Sequence, residues 1–168
     1  ARKRGAKIYG ETLGFGTSAD AGHITQPNAN GTGAARAMAN ALHDGSLAPD
    51  RIHYINARGT GTLLGDIAET VAVKTIFGEH AWKLNISSTK SQLGHLLGAS
   101  GGVELILSLL ALRDQACPPT INLKIPDPDC DLNYTPNEPQ QRLIQTIMSN
   151  SFGFGGHNAT LVVRRWNE

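Results

Sequence analysis

Ser87-Ser88-Thr89-Lys90-Ser91-Gln92-Leu93-Gly94-His95-Leu96-Leu97-Gly98-Ala99-Ser100-Gly101-Gly102 runs directly into Val103-Glu104-Leu105-Ile106-Leu107-Ser108-Leu109-Leu110-Ala111-Leu112. The first part is a polar, glycine-rich loop with one Lys and one His five residues apart. The second is apolar apart from Glu104 and Ser108. A surface helix keeps a polar face, whereas one apolar nearly all round is covered on both sides. The pattern therefore predicts a helix over 98–113 lying between two layers. One sheet with its helices supplies only one such layer. A partner layer is expected, from another chain or a missing half.

Working outward, Lys83 to Ser88 reads as the strand that delivers the loop. Arg51 to Ala57 is a second short strand, ending in Arg58-Gly59-Thr60-Gly61-Thr62. The helix after it spans Gly65 to Phe77, with Asp66 and Glu69 in a first turn where carboxylates suit the helix dipole. Nearer the start, Ala6 to Thr17 is a strand that Gly14 and Gly16 break. Ser18 to Asn30 is a polar loop, and Ala34 to His43 an alanine-rich helix stopped by Gly45. Gly31-Thr32-Gly33 only faintly resembles a dinucleotide loop, because Arg36 stands at the third glycine position and no strand runs into it. Pro118-Pro119 opens an extended stretch reaching Pro139. Ile144 to Ser149 and Ala159 to Arg165 close the chain as strands around Asn150-Ser151-Phe152-Gly153-Phe154-Gly155-Gly156-His157-Asn158. Alternating strands and helices imply an α/β sheet with functional loops at strand ends.

Composition narrows the classes. At 168 residues the chain fits one domain, 1–168, with 40% hydrophobic and 17% charged residues, which is globular. A net charge of +1 favours neither nucleic acid nor a membrane surface. No apolar run reaches the ~18 residues that span a bilayer, and no signal peptide is visible. Cys117 and Cys130 make no metal spacing, and a cytoplasmic setting is expected. The chain starts Ala1-Arg2-Lys3 without a Met, which suggests processing or a fragment.

The chemistry concentrates on few residues. His23, His43, His53, His80 and His157 read as structural, with no His-x3-His spacing to hold a metal. His95 differs, since it sits in a glycine-rich loop beside Lys90 and before a helix start. A neutral imidazole there can donate a hydrogen bond to an oxyanion or move a proton near pH 7. Lys90 fixes the loop or tunes the field around it. Thr60 and Thr62 suit an amide-bearing ligand arm, or are simply a Thr-rich turn. Phe152-Gly153-Phe154-Gly155-Gly156 combines rings with hinges, as a gate does, or is a plain glycine turn. No Ser, Cys or Thr lies in a nucleophile elbow.

From about Gly5 to Arg165 the sequence resembles the C-terminal half of a β-ketoacyl-acyl-carrier-protein synthase, the elongating type II condensing enzyme. The resemblance rests on Tyr54-Ile55-Asn56-Ala57-x-Gly59-Thr60-x-Thr62, Ser87-Ser88-Thr89-Lys90-Ser91-x-x-Gly94-His95, Pro118-Pro119-Thr120-Ile121-Asn122 and Asn150-Ser151-Phe152-Gly153-Phe154-Gly155-Gly156. It implies a thiolase-like half, with a mixed, roughly five-stranded sheet, helices on both faces and a central helix buried against a second half. It also implies decarboxylative condensation of malonyl-carrier protein with an acyl thioester on a Cys of the N-terminal half, in fatty acid synthesis. His95 is then similar to the second family His, and Lys90 to the Lys that orders the site. Glu69 resembles that Lys's acidic partner, and Thr60 and Thr62 the pair holding the phosphopantetheine arm. Phe154, with Phe152 beside it, resembles the gate between acyl and malonyl pockets. No bound cofactor or metal is implied beyond that arm, and the partners are acyl carrier protein, the N-terminal half and a homodimer mate.

Two departures stand out. The family's first His has become Arg58, which can donate hydrogen bonds but cannot serve as a base, and which is long enough to intrude on the pantetheine channel. The second is the absence of the nucleophile's half; in addition, His157 stands where the family commonly has Thr after Gly-Gly. Arg58 gives weight to an alternative, a degenerate partner subunit that shapes an acyl tunnel without doing chemistry.

Overall fold

The computed structural model describes residues 1–166. Its main strands are β1 (Gly10–Ala19), β2 (Tyr54–Asn56), β3 (Asn85–Ser87), β6 (Thr146–Phe152) and β7 (His157–Arg165). They form one sheet in the order β1-β7-β6-β2-β3. The β1/β7 and β6/β7 pairs are antiparallel, whereas β2 lies parallel to both β6 and β3. The sheet is thus mixed and five-stranded, as the resemblance implied. The helices are α1 (Thr32–Asp44), α2 (Leu63–Phe77), a single turn α3 (Lys90–Leu93) and α4 (Ser100–Asp114). A two-stranded ribbon of β4 (Ala116–Cys117) and β5 (Gln140–Gln141) stands apart from the sheet.

Period-two alternation sorts side chains between the two faces. Ile55, Met148, Phe152 and Val162 join α1 and α2 in one core cluster. Tyr54, Ile147 and Val163 join α4 in the other, with Ala111 and Leu112. Fully buried apolar side chains of this size contribute about 1.5–3 kcal/mol each. Gln115, left-handed at φ 54°, caps α4 and ties it to the sheet. Its amide donates to the carbonyls of Leu112 (2.6 Å) and Ile144 (2.9 Å), and its oxygen accepts from the Ile144 N–H (2.8 Å).

The sequence expectations shift in instructive places. Gly14 and Gly16 do not break β1 but sit inside it. A Cβ at either would lie 2.1 Å from a carbonyl of α1, that of Ala41 or Ala37, so only glycine lets this alanine-rich helix rest on the strand. The strand starts four residues later and ends two later than Ala6–Thr17 because pairing with β7, from Gly10↔Arg165 to Ala19↔His157, decides its limits. Helix α2 begins at Leu63 rather than Gly65, which moves Glu69 out of the first turn. The central helix α4 inverts the usual pattern: Glu104 and Ser108 are buried towards the sheet, while Ile106 is 58% exposed. Within this chain α4 has one covered face, and its apolar outer face is open. Both cysteines are free.

Candidate active site

The loops after β2 and β3, both at the carboxyl ends of parallel strands, face a cleft of about 680 Å³ lined by Thr60, Thr62, Lys90, His95, Ile121 and Tyr134 among others. Parallel pairing of β2 with β3 (Asn56↔Ser87) brings the two loops side by side. The Ser88 hydroxyl donates to the Gly59 carbonyl at 2.5 Å, linking them directly.

Glu69 organises the first loop. Its carboxylate accepts the backbone N–H groups of Arg58 and Gly59, both at 3.0 Å, and the Asn150 amide at 3.2 Å. Thr160 donates to Asn150 at 2.9 Å, so the clamp reaches across the sheet to β7. Burial pushes the Glu69 carboxyl above the ordinary carboxylate range, tempered by the N–H groups it accepts. Beyond the clamp, the hydroxyls of Thr60 and Thr62 bond to each other at 3.0 Å. The Arg58 side chain turns towards the first turn of α2, its Nη1 3.1 Å from where a Cβ on Gly65 would stand.

Lys90 does not pair with Glu69, as the resemblance implied. Its ammonium makes an ion pair with Glu104 of α4, and the two side chains are only 8% and 4% exposed. Glu69 instead accepts the backbone N–H groups of Arg58 and Gly59 and the Asn150 amide. Burial raises the Glu104 carboxyl, while the Lys90 hydrogen bond and charge pull it back. Its Oε2 has no partner, nor do Asn56 Oδ1 and Ser108 Oγ on the same side of the sheet.

His95 is oriented from behind. Its Nδ1 accepts the Leu97 N–H at 3.0 Å and lies 3.1 Å from the Ser100 hydroxyl, which itself accepts the Leu96 N–H at 3.1 Å. An Nδ1 that accepts a backbone N–H carries no hydrogen, so the neutral ring's proton is on Nε2. Leu97 adopts a left-handed backbone, φ 52°, which a branched side chain seldom does, and its N–H is the one that meets Nδ1. The site therefore offers a fixed N–H donor at Nε2, next to a buried Lys–Glu pair.

The structure brings Lys90, His95, Glu69, Thr60 and Thr62 to one cleft. Phe152 and Phe154 do not line it. Phe152 lies in the core under α1, and Phe154 is 69% exposed on the 154–156 turn. Sequence reasoning missed Glu104, Ser100 and Asn150. A single carboxylate in an apolar helix was the available signal for Glu104. Asn150 and Ser100 lie within stretches already singled out, but nothing in the sequence assigned them their partners Glu69 and His95.

A family model described as "Beta-ketoacyl synthase, C-terminal domain" matches residues 9–124. The chain is 53% identical over 165 residues to a 3-oxoacyl-[acyl-carrier-protein] synthase 2 of Coxiella burnetii, covering 98% of this chain and 40% of that protein. It is 50% identical over 163 residues to the synthase 2 of Synechocystis, covering 97% and 39%. Among solved structures, it matches a β-ketoacyl synthase from Burkholderia phymatum with a TM-score of 0.93 and 42% identity, over 99% of this chain and 40% of that one. A chain from a type II polyketide-synthase acyl-carrier protein in complex with its ketosynthase matches with a TM-score of 0.96 and 39% identity, over 99% and 41%. This chain spans about 40% of the length of the curated relatives it matches.

Proposed function

The chain belongs to the β-ketoacyl synthase C-terminal domain family, and we propose that residues 1–168 form the C-terminal part of a 3-oxoacyl-carrier-protein synthase in fatty acid synthesis. In this reading an N-terminal half supplies the nucleophilic Cys and covers the outer face of α4. The intact enzyme is a cytoplasmic homodimer, and acyl carrier protein delivers substrate on its phosphopantetheine arm, held by Thr60 and Thr62. Phe154, which lies outside the cleft of this chain alone, gates the acyl pocket that the N-terminal half completes, with Phe152 beside it in the core. Among the described residues no helix is long and apolar enough to cross a membrane.

The reaction breaks the bond between the malonyl α-carbon and its carboxylate. Carbon dioxide leaves, and the electron pair stays as an enolate whose oxygen accepts a hydrogen bond from His95 Nε2–H. The carbanion then attacks the acyl thioester on the Cys, and the C–S bond breaks to release thiolate and a 3-oxoacyl product. His95 donates a hydrogen bond and transfers no proton in this step. Lys90 and Glu104 hold the loop beneath it. Arg58 adds a charged donor at the cleft mouth and no base. The observation that carries the reading is the Leu97 N–H on His95 Nδ1, which leaves the donor at Nε2.

The test is to assemble the chain with its N-terminal half and measure 3-oxoacyl formation from acyl- and malonyl-carrier protein. A folded complex with no activity would overturn the reading. Arg58 favours a second one, a partner subunit that shapes the tunnel and does no chemistry. Arg58→His separates the two: a gain in condensation marks a damaged enzyme, and none marks a scaffold.

A further inference from the structure

The helix turn α3, which carries Lys90 and leads through Gly94 to His95, has little packing of its own. None of its four residues is buried, and every residue from Gln92 to Ala99 is exposed. A single turn of helix is unstable in isolation. Beyond the Lys90–Glu104 ion pair, hydrogen bonds from outside set its place. They come from Pro118-Pro119-Thr120-Ile121-Asn122, a stretch that takes no part in the reaction steps. The Thr120 hydroxyl oxygen accepts the Ser88 N–H at 3.1 Å. The Ile121 N–H donates to Ser91 Oγ at 3.0 Å, and the Ser91 hydroxyl donates on to the Ser88 carbonyl at 2.8 Å. The Gln92 amide donates to the Pro119 carbonyl at 2.9 Å.

Thr120 is itself fixed. Its N–H donates to the Thr135 carbonyl, and its own carbonyl accepts the Asn137 N–H, both at 2.9 Å. Thr135 is fully buried, and its hydroxyl oxygen accepts the Asn85 amide of β3 at 3.1 Å. The support is thus built onto the edge strand of the sheet, whereas the turn it holds is open to solvent. Ser88 passes the constraint on, since its hydroxyl donates to the Gly59 carbonyl in the loop that carries Thr60 and Thr62. We propose that Thr120 is a positioning residue for the condensation. Through Ser88 it seats α3, and so sets where His95 stands relative to Thr60 and Thr62. The hydroxyl oxygen carries this role and the methyl group does not, because the oxygen is what holds the Ser88 N–H.

This inference rests on the reading of His95 as the enolate's hydrogen-bond donor, and the experiment separates the two. In the assembled synthase, Thr120→Val removes the acceptor and keeps the shape, while Thr120→Ser keeps the acceptor. One neutral hydrogen bond that holds a loop is worth roughly a three- to tenfold change in rate. Thr120→Val should lower kcat for 3-oxoacyl formation by about that factor and leave KM for malonyl-carrier protein unchanged. Thr120→Ser should retain the rate. In a His95→Ala background, Thr120→Val should cost nothing further. An equal loss in both backgrounds, or an equal loss from the Val and Ser variants, would overturn the positioning role and leave His95 as the donor. A His95→Ala synthase as fast as the parent would overturn the reading of His95 and the inference with it. Hydrogen exchange of the assembled synthase, followed by mass spectrometry, reads the seat without turnover. Residues 88–95 should exchange roughly three- to tenfold faster in Thr120→Val than in Thr120→Ser. Equal exchange would overturn the inference even in a complex that makes no product.

Discussion

Glu69 and Glu104 each bury a carboxylate beside the same cleft, but the chain finishes only one of the two sites. Glu69 has three N–H donors on its two oxygens and is tied through Asn150 to Thr160. Glu104 has Lys90 on one oxygen and nothing on the other, while Asn56 and Ser108 beside it carry further unpaired atoms. The covering layers differ in the same way. Helix α2 is paired with α1, whereas α4 turns Glu104 and Ser108 inward and leaves Ile106 exposed on its outer face. Buried polar atoms are normally satisfied and apolar faces normally covered. Three of the four unpaired buried polar atoms, those of Asn56, Glu104 and Ser108, fall on the α4 side, with Asp66 Oδ1 on α2 the fourth, so the α4 side is the more incomplete of the two.

The largest effect expected from breaking this asymmetry is at Lys90. Lys90→Met leaves Glu104 buried without its counter-charge and should cost about 3–5 kcal/mol. Urea unfolding reads this, and a Lys90→Met/Glu104→Leu double variant should recover most of the loss. His95→Ala should lower condensation by the assembled synthase by roughly 10²–10³-fold, the worth of one oxyanion donor. Because His95 is exposed, the unfolding midpoint of that variant should not move.

Glu69→Ala strips the acceptor from two backbone N–H groups and should cost about 2–3 kcal/mol, with Glu69→Gln keeping part of it. An equal loss from both would mean that the negative charge, and not the acceptor geometry, holds the Arg58 loop. On the open side, Ile106→Asp should change the chain's own stability by less than about 0.5 kcal/mol. Its assembly with the N-terminal half, read by co-purification, should be abolished.

The smallest effect concerns pH. Burial, with Arg142 nearby, holds His53 below its ordinary value of 6.5. As pH falls through 6.5 the unfolded chain takes up this proton first, so stability should decline on the acid side, and His53→Gln should flatten the decline. Glu69 and Glu104 act in the opposite sense. Their raised carboxyls must ionise while buried, which removes stability as pH rises above about 4.5. Denaturant midpoints between pH 4 and 8 would display both slopes.

Much of the site was legible because its residues are close along the chain. Lys90, His95, Thr60 and Thr62 sit in short glycine-bearing loops after strand-like segments, and local chemistry identifies them. The partner of Lys90 was not legible. Glu69 and Glu104 lie on different helices, and which one meets the ammonium depends on the faces those helices take on the sheet. Gly14 and Gly16 misled for a related reason, since their meaning lies in the approach of α1 from outside the strand.

The sequence by itself determined that α4 is nearly all apolar, that a Lys–His loop precedes it, and that Arg58 stands where an imidazole is usual. The first two are properties of composition and spacing, and the third follows from the family resemblance; all three survive unfolding. Only the tertiary structure decided which carboxylate Lys90 neutralises, which nitrogen of His95 carries its proton, and where the Arg58 guanidinium comes to rest. Each depends on groups brought within hydrogen-bond reach by strand register and helix docking, at a range of a few ångströms that sequence separation does not encode.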